Sequence, residues 1–453
     1  MKRTVLFFFL VAAALLAGCK SSPIEPALTK TDLLTGTVWQ VKTALALGPA
    51  AGQTTDITSQ FPFVTMTFTK DGRYLTPVQS GTWQFINSET GILFDGNSLS
   101  QMTAEIIELS ASVLHFTITT PGAALPMPVD LSFTALPQAT STSPLANFDT
   151  LWTQFDSRYS FFEIKGINWD SLRTVFRPQV TSQTSDAQLF QIMSSMLANL
   201  KDGHVGLTTP FNTYAYTEWY SRYPTNFLGT SNMARYLTID YGTTAGGYMR
   251  YGMLPNNLGY LYIGPNLMGN EAVWSAAIDV ILDSLKNTRA IVVDIRNNGG
   301  GNDALGNIVV GRFADQIRTY SYVRWRNGPR HSDFTDFLVS AVGPQGLHRY
   351  TNRVALLTNR RCFSSAEGTI LMFRAFPNVT IIGDTTGGGS ANPIALQLPN
   401  AWSYRVSRWI QYTAQKTIFE GIGLAPDIPV WISPADSAAG RDAILERAMQ
   451  FLK

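Results

Sequence analysis

Residues 354–367 read Val-Ala-Leu-Leu-Thr-Asn-Arg-Arg-Cys-Phe-Ser-Ser-Ala-Glu, an apolar run that leads through a short polar stretch into helix-forming residues. The run 354–358 predicts a buried β-strand, and residues 366–376 predict a helix. A serine at such a junction lies beside the free N–H groups of a helix N-terminus, which stabilise developing negative charge. Ser364 or Ser365 is therefore a candidate nucleophile. The alternative is a plain helix cap, because Ser-Ser-Ala-Glu matches a capping box.

The alternation of strand and helix extends on both sides of this stretch, over residues 259–453. Short apolar runs of strand length and longer amphipathic runs follow one another along the chain. The predicted strands are 259–263, 290–294, 354–358 and 379–382, and the predicted helices are 272–286, 366–376 and 441–452. This order is typical of an α/β domain.

A glycine-rich stretch, Asp294-Ile-Arg-Asn-Asn-Gly-Gly-Gly301, follows the second of these strands. Glycines after a strand let another segment approach the backbone closely and can present N–H groups inward. A phosphate-binding turn is the alternative. Nucleotide binding is disfavoured, because the spacing is not that of a dinucleotide fingerprint and no P-loop lysine follows.

The candidates for a general base are four histidines, at positions 115, 204, 331 and 348. His204 is the best candidate, because Asp202-Gly-His204 follows a predicted helix end where glycine suits the C-terminal cap. Asp202 or Glu420 could orient its ring. A histidine with an ordinary pKa of about 6.5 predicts activity that rises through neutral pH. Histidines and cysteines lack metal-ligand spacing, so neither a metal nor a cofactor is expected.

Residues 31–137 have a different pattern, which predicts an all-β domain. Short alternating runs, such as 63–69 and 113–119, are separated by turn residues. Three short stretches resemble the lipocalin-like modules of bacterial lipoproteins, namely Gly36-Thr-Val-Trp39, Asp71-Gly-Arg-Tyr74 and Gly81-Thr-Trp83. A barrel or a sandwich is therefore expected here, with the resemblance favouring a lipocalin-like barrel, and a small-ligand carrier is one alternative function of the protein.

The remaining boundaries follow from changes in composition. Residues 138–145 form a polar linker with prolines at 137 and 144, and 146–208 predict a helical subdomain. One helical face in that subdomain carries the apolar residues Leu189, Ile192, Met193, Met196, Leu197 and Leu200. Residues 209–258 are aromatic and glycine-rich and are treated as a connecting segment before the α/β domain.

The N-terminus predicts export. Residues 1–18 have a positive start and a short apolar run, as in a signal peptide, and Leu16-Ala-Gly-Cys19 resembles a bacterial lipobox. Cys19 is then the lipidated residue, 19–30 is a tether, and the protein lies on the cell envelope, at the periplasmic or outer-membrane face. The alternative is an ordinary secretory signal. Charged residues make up only 15% of the chain and the net charge is +2, so nucleic-acid binding is not expected.

The stretches from residue 148 onward together resemble one family, the C-terminal processing, or tail-specific, serine peptidases. The branch they resemble most contains the tricorn core and the interphotoreceptor retinoid-binding protein. The resemblance is carried by 151–155 with 159–163, Asp202-Gly-His204, Asp294–Gly301, Phe363-Ser-Ser-Ala-Glu367, Gly383–Gly389 and Glu420-Gly-Ile-Gly-Leu-Ala-Pro-Asp427. It implies a multidomain protein whose helical subdomain precedes a crotonase- and ClpP-like α/β spiral core.

The resemblance also assigns roles. It implies that Ser364 is the nucleophile, that His204 is the base and that Glu420 supports it. The oxyanion donors would be the N–H groups of Ser365 and Gly300. The expected activity is hydrolysis of peptide bonds in exported or unfolded proteins, without a cofactor. The retinoid-binding relative implies a rival function, that of a non-catalytic ligand-binding lipoprotein. The sequence does not indicate an oligomeric state.

Two departures from the family pattern affect the mechanism. The processing peptidases place a lysine after the serine, but Thr386-Gly-Gly-Gly-Ser390 stands there in this chain, so a histidine base is favoured. The tricorn branch places a serine before the histidine, where this chain has Gly203. Residues 209–258 are also too few for the PDZ domain that these enzymes usually carry.

Overall fold

The computed structural model describes most of the chain. The described residues are 28–35, 37–48, 50, 52–56, 58, 65–70, 72–76, 80–95, 102–119, 128–135, 143–209 and 211–453. Cys19, the signal segment 1–18 and most of both the tether and the linker 138–145 lie outside them.

The N-terminal domain is an antiparallel barrel, as the alternating pattern predicts. A short helix α1 (Lys30–Thr35) precedes strands β1 (Val38–Leu47), β2 (Thr54–Asp56), β3 (Thr65–Phe68), β4 (Arg73–Leu75), β5 (Ser80–Ile86), β6 (Gly91–Phe94), β7 (Met102–Leu109), β8 (Val113–Thr119) and β9 (Val129–Ala135). Strands β3 to β9 pair in sequence order, and β1 pairs with both β3 and β9, which closes the barrel. The described interior is filled by the aromatic side chains of Trp39, Phe68, Tyr74, Phe94, Phe116 and Phe133.

The helical subdomain carries the turn with the candidate base. Its elements are α2 (Pro144–Arg158), α3 (Trp169–Phe176), α4 (Asp186–Ala198), β10 (Gly206–Thr208), β11 (Thr213–Ala215), α5 (Glu218–Ser221) and α6 (Thr230–Ala234). Ser185 caps α4 through a capping box with Gln188. The predicted apolar face of α4 is buried, and the helix ends just before the Asp202-Gly-His204 turn.

The α/β core is built on a seven-stranded sheet with the order β12-β13-β14-β15-β18-β19-β23. In chain order its elements are β12 (Ile239–Thr244), β13 (Met249–Leu254), β14 (Leu258–Ile263), α7 (Glu271–Leu285), β15 (Ala290–Asp294), α8 (Asp303–Val310), β16 (Arg318–Trp325), β17 (Leu338–Val342), β18 (Arg353–Thr358), α9 (Ser365–Arg374), β19 (Val379–Gly383), β20 (Pro393–Gln397), β21 (Ser403–Ser407), β22 (Trp409–Thr413), β23 (Ile428–Pro429), α10 (Pro434–Ala438) and α11 (Ala443–Phe451). Strands β14, β15, β18, β19 and β23 are parallel, and β14 and β15 are buried along their whole length.

The parallel strands explain why two predicted motifs meet. Strands β15 and β18 are neighbours, so the chain leaves both at the same edge of the sheet. The glycine-rich stretch after Asp294 and the serine turn after Thr358 are thereby brought together. A hydrogen bond from the N–H of Phe363 to the carbonyl of Asn298 joins them.

The predicted start of the core at residue 259 is wrong. Strand β13 pairs antiparallel with β14, and β12 pairs with β13, so residues from 239 onward belong to the core sheet. A tight turn joins β13 to β14, in which Asn256 and Asn257 both take positive φ. The prediction missed this hairpin because no regular pattern was recognised in 209–258.

The predicted division between helical subdomain and core is also too simple. Strand β21 pairs with β10, and β20 pairs with β21. Side chains from residues 391–412 share one hydrophobic core with α2 and α4. A segment far along the chain therefore completes the subdomain that carries His204, which a linear assignment of domains cannot show.

Candidate active site

Ser364 occupies a strained position at the junction of β18 and α9. Its backbone angles are φ 57° and ψ −128°, a region that residues with a side chain rarely adopt. The other serines at helix starts, Ser143, Ser185 and Ser433, have φ of −59°, −70° and −69°. A plain cap would share their geometry. Strain of this kind, on the order of 1–3 kcal/mol, is concentrated at functional sites.

The buried carboxylate of Glu367 holds the Ser364 turn in place. It accepts hydrogen bonds from the N–H groups of Ser364 at 3.1 Å, Gly388 at 2.8 Å and Gly389 at 2.7 Å, and from the hydroxyl of Thr386. Burial raises the pKa of Glu367 to about 7, although the hydrogen bonds from Thr386, Gly389 and Gly388 act in the opposite direction. One side chain thus fixes the serine turn to the glycine loop.

Ser365 and Gly300 both lie beside the candidate nucleophile. The Ser365 hydroxyl donates to the carbonyl of Gly301 at 2.6 Å and also interacts with the buried carboxyl group of Asp303, so it is engaged within the fold. A Cβ atom on Gly300 would lie 2.8 Å from both Ser364 Cβ and Ser365 N, so only glycine fits there. The N–H of Gly300 donates to Asn298 Oδ1 at 2.9 Å in this structure. The oxyanion role of Gly300 remains a prediction and requires that this hydrogen bond be shared.

His204 is buried beside the serine turn, with 3% of its surface exposed. Its ring contacts the Phe363 ring at a centroid distance of 4.6 Å, and Trp219 stacks on Phe363 at 4.0 Å. Within the described chain neither ring nitrogen of His204 has a hydrogen-bond partner, so the ring is not hydrogen-bonded to Ser364 in this structure. Gly203 is required by this packing, because a Cβ there would lie 2.6 Å from Trp219 Nε1 and 2.8 Å from Phe363 Cζ.

Burial also fixes the charge state of the histidine. It lowers the pKa of His204 to about 4, with Arg405 and Lys165 acting in the same direction and Asp202 opposing them. The ring is therefore neutral at neutral pH and able to accept a proton. The sequence-based expectation of an ordinary pKa is corrected, because the sequence does not reveal that the ring is desolvated.

Asp202 supports the histidine turn through the backbone. Its carboxylate accepts from the main-chain N–H of His204 at 2.8 Å and from the Ser407 hydroxyl at 2.8 Å. Burial alone would raise the pKa of Asp202, but Lys165, His204 and Ser407 outweigh it and lower that pKa. Asp202 is thus ionised close to the ring, although it makes no hydrogen bond to it.

Glu420 lies in the same buried cluster but contacts other partners. It accepts hydrogen bonds from both the N–H and the hydroxyl of Ser390, at 2.8 and 3.0 Å. Lys165 Nζ lies 3.0 Å from Glu420 Oε1 and also donates to the carbonyl of Lys201 at 3.0 Å. Glu420, which the resemblance implies supports His204, makes no direct hydrogen bond to the His204 ring in this structure.

Sequence reasoning missed the partners of these acidic groups. Lys165 follows the aromatic stretch 159–163. A lysine in such an apolar context is the one feature of the sequence that could have indicated a buried partner for the acidic groups. Ser390 was noted only as the end of a stretch without lysine. Trp219 lies in the segment left unassigned, and nothing in the sequence indicates that it stacks on Phe363.

A cavity of about 460 Å³ opens beside this cluster, and Lys165, Trp219, Arg360 and Glu420 contribute to its walls. Within the described residues, no group of three or more His, Cys, Asp or Glu side chains is arranged to hold a metal ion. Cys362 is fully buried, and burial raises the pKa of its thiol to about 12, so it is not an activated nucleophile. None of the described helices combines the length and hydropathy needed to cross a membrane.

Comparison with known proteins gives two matches to family models. Residues 257–430 match peptidase family S41, and residues 142–198 match the C1 domain of tricorn protease. No curated protein matches the chain in sequence. Mature CPAF is similar in structure, with 10% identity and a TM-score of 0.52 over 69% of this chain and 96% of that one. At that identity the likeness concerns the fold alone.

A nearer relative has also been solved. It is a candidate peptidase from Parabacteroides merdae, whose structure aligns with a TM-score of 0.64 and 32% sequence identity. The alignment covers 69% of this chain and 97% of that chain. Taken with the S41 match across the α/β core, this relative shows that the chain belongs to the C-terminal processing peptidases of family S41 and is a serine peptidase.

Proposed function

We propose that Ser364 is the nucleophile of this peptidase and His204 its general base. The observation that carries the proposal is the strained backbone of Ser364, which distinguishes it from every other serine that begins a described helix. The occupied hydroxyl of Ser365 supports the same choice. We further propose that the substrates are peptide segments of exported or unfolded proteins, bound in the cavity beside Trp219 and Lys165.

Ser364 and His204 account for every proton that is transferred in the proposed reaction. Neutral His204 takes the proton of the Ser364 hydroxyl as its oxygen attacks the peptide carbonyl. The resulting oxyanion accepts from the N–H of Ser365, with Gly300 as the second donor. His204 then gives the proton to the leaving amine, which departs and leaves an acyl-enzyme. Water, deprotonated by the same histidine, hydrolyses the ester and restores Ser364.

Asp202 stabilises the positive charge that the His204 ring acquires during catalysis, without a hydrogen bond to the ring. Asp202 is ionised beside His204 and favours the imidazolium that forms during catalysis. The ring must first move relative to Phe363 to reach the Ser364 hydroxyl. Because Phe363 immediately precedes Ser364, substrate that displaces the Phe363 and Trp219 rings would bring base and nucleophile together.

The proposal is tested by reaction of the whole protein with a fluorophosphonate probe. Such probes form a covalent bond only with an activated serine. We expect one labelled tryptic peptide, residues 362–374, and the modification should map to Ser364 by fragmentation in mass spectrometry. Hydrolysis of casein without any labelling would instead indicate a different nucleophile.

The pH profile provides an independent prediction. Since burial lowers the pKa of His204 to about 4, kcat/KM should be nearly constant around neutral pH and fall only as the pH approaches that value. Folding stability has the same sign: the unfolded chain takes up a proton near pH 6.5 that the folded protein refuses, so stability decreases as pH falls from there toward 4. An acid limb of kcat/KM near pH 6.5 would contradict a desolvated neutral histidine.

We also propose that Cys19 is a lipid anchor that holds the protein on the cell envelope. The support is the lipobox-like sequence Leu16-Ala-Gly-Cys19 after an apolar run. Cys19→Ala should move the protein from the membrane fraction to the soluble fraction, or leave the signal segment attached. Fractionation with immunoblotting measures this, and Cys362→Ala is the matched control. Unchanged membrane retention and processing of the Cys19 variant would refute the anchor.

A further inference from the structure

Lys165 connects the two halves of the active site. It lies in the loop between α2 and α3, and only 14% of its side chain is exposed. Its ammonium group pairs with Glu420, which holds Ser390 in the loop after β19. The same group donates to the carbonyl of Lys201, the residue just before the histidine turn. One cation therefore ties that turn to the core that carries the nucleophile.

The charges in this cluster depend on Lys165. Asp202 and Glu420 are two buried carboxylates, and the groups that act on Lys165 are these two and Tyr216. Burial disfavours the ammonium form, but the two carboxylates outweigh burial and raise the pKa of Lys165, so the lysine is charged. The charged groups that act on His204 are Asp202, Arg405 and Lys165. Loss of Lys165 would leave the two carboxylates without their shared buried cation.

We infer that Lys165 is a positioning residue for this peptidase, which fixes the Asp202-Gly-His204 turn against Glu420 and balances the charge of the two carboxylates near the base. The inference rests on the proposed roles of Ser364 and His204. Lys165 does not need to contact the substrate to act in this way. Lys165 keeps His204 neutral and in place. Its loss should therefore change kcat and the pH dependence of kcat more than it changes KM.

The decisive measurement is the pH profile of Lys165→Met, which keeps the length of the side chain and removes its charge. With the cation gone, Asp202 acts on the ring with less opposition and the pKa of His204 rises, so the acid limb of kcat/KM should move to higher pH. At pH 7 we expect a loss of about tenfold, mostly in kcat, from displacement of the histidine turn, and the loss should grow as the pH falls. Lys165→Arg, which retains the charge, should recover most of the activity and the wild-type limb.

Two further variants separate this role from a general loss of structure. Lys286→Met removes an exposed lysine that pairs only with Asp283 among the described residues, and it should leave the profile unchanged. The double variant Lys165→Met/Asp202→Asn removes one charge of each sign from those that act on His204, so its acid limb should return toward wild type if charge balance is the cause. A folded Lys165→Met protein with the wild-type limb would overturn the inference, as would a double variant no closer to wild type than Lys165→Met. If Ser364 is not the labelled residue, the proposed function fails instead.

Discussion

Ser364→Ala should abolish casein hydrolysis and fluorophosphonate labelling together. The expected loss is on the order of 10³-fold or more, as for the nucleophiles of other serine peptidases. Alanine meets the same strained backbone as serine at φ 57°, so the two proteins differ chiefly in the reactive hydroxyl. His204→Ala should lose nearly as much, because nucleophile and base act as one unit and their effects do not add.

Ser365→Ala is the matched control for this experiment. The substitution keeps the N–H that we assign to the oxyanion and removes the hydroxyl, which donates to Gly301 and also interacts with Asp303. One hydrogen bond of this kind is worth about 1 kcal/mol, so we expect a loss of about tenfold at most. If Ser365→Ala were inactive and Ser364→Ala active, the assignment would be displaced by one residue. Full activity of both variants would refute a mechanism based on this turn.

Glu367→Ala should cause the largest loss of stability near the site. The carboxylate accepts hydrogen bonds from Ser364, Gly388, Gly389 and Thr386, and its removal leaves buried donors without an acceptor. Since each such group costs about 1–3 kcal/mol, we expect destabilisation of at least about 3 kcal/mol in urea unfolding. Activity should fall as well, because the serine turn loses its tie to the glycine loop.

The substitution Glu367→Gln separates shape from hydrogen bonding. Burial raises the pKa of Glu367 to about 7, so a neutral side chain of the same size should be tolerated better than alanine near neutral pH. We expect stabilities in the order wild type, Gln, Ala. Glu163→Ala removes an exposed glutamate and should be nearly neutral. Equal stability of Glu367→Ala and wild type would show that the four contacts carry no net stabilisation.

Much of the fold could be predicted from local pattern. Three hydrophobic patterns are read directly from the sequence. They are the alternation in the barrel strands, the apolar face of α4 and the continuous apolar runs of β14, β15, β18 and β19. The order of strands then brings the ends of β15 and β18 to one edge of the sheet. This explains why Ser364 and Gly300, which the resemblance to the family singled out, are neighbours in the structure.

The sequence-based predictions fail where contacts join segments that are distant along the chain. Strand β21 pairs with β10 across about two hundred residues, and no local period indicates that partner. The pKa of His204 depends on burial under Phe363 and Trp219, which belong to two other segments. Lys165 acquires its role only when Glu420 folds against it. Such properties belong to the packed arrangement rather than to any one stretch of sequence.

The absence of a side chain at position 203 has an evolutionary consequence. Trp219 and Phe363 occupy the volume that a Cβ at this position would need. A serine before the histidine, as in the tricorn branch, therefore cannot arise here by a single tolerated substitution. It would require the Trp219 and Phe363 rings to shift or to be replaced by smaller side chains as well. We therefore expect substitutions at positions 203 and 219 to be epistatic, with a side chain at 203 tolerated only beside a smaller residue at 219.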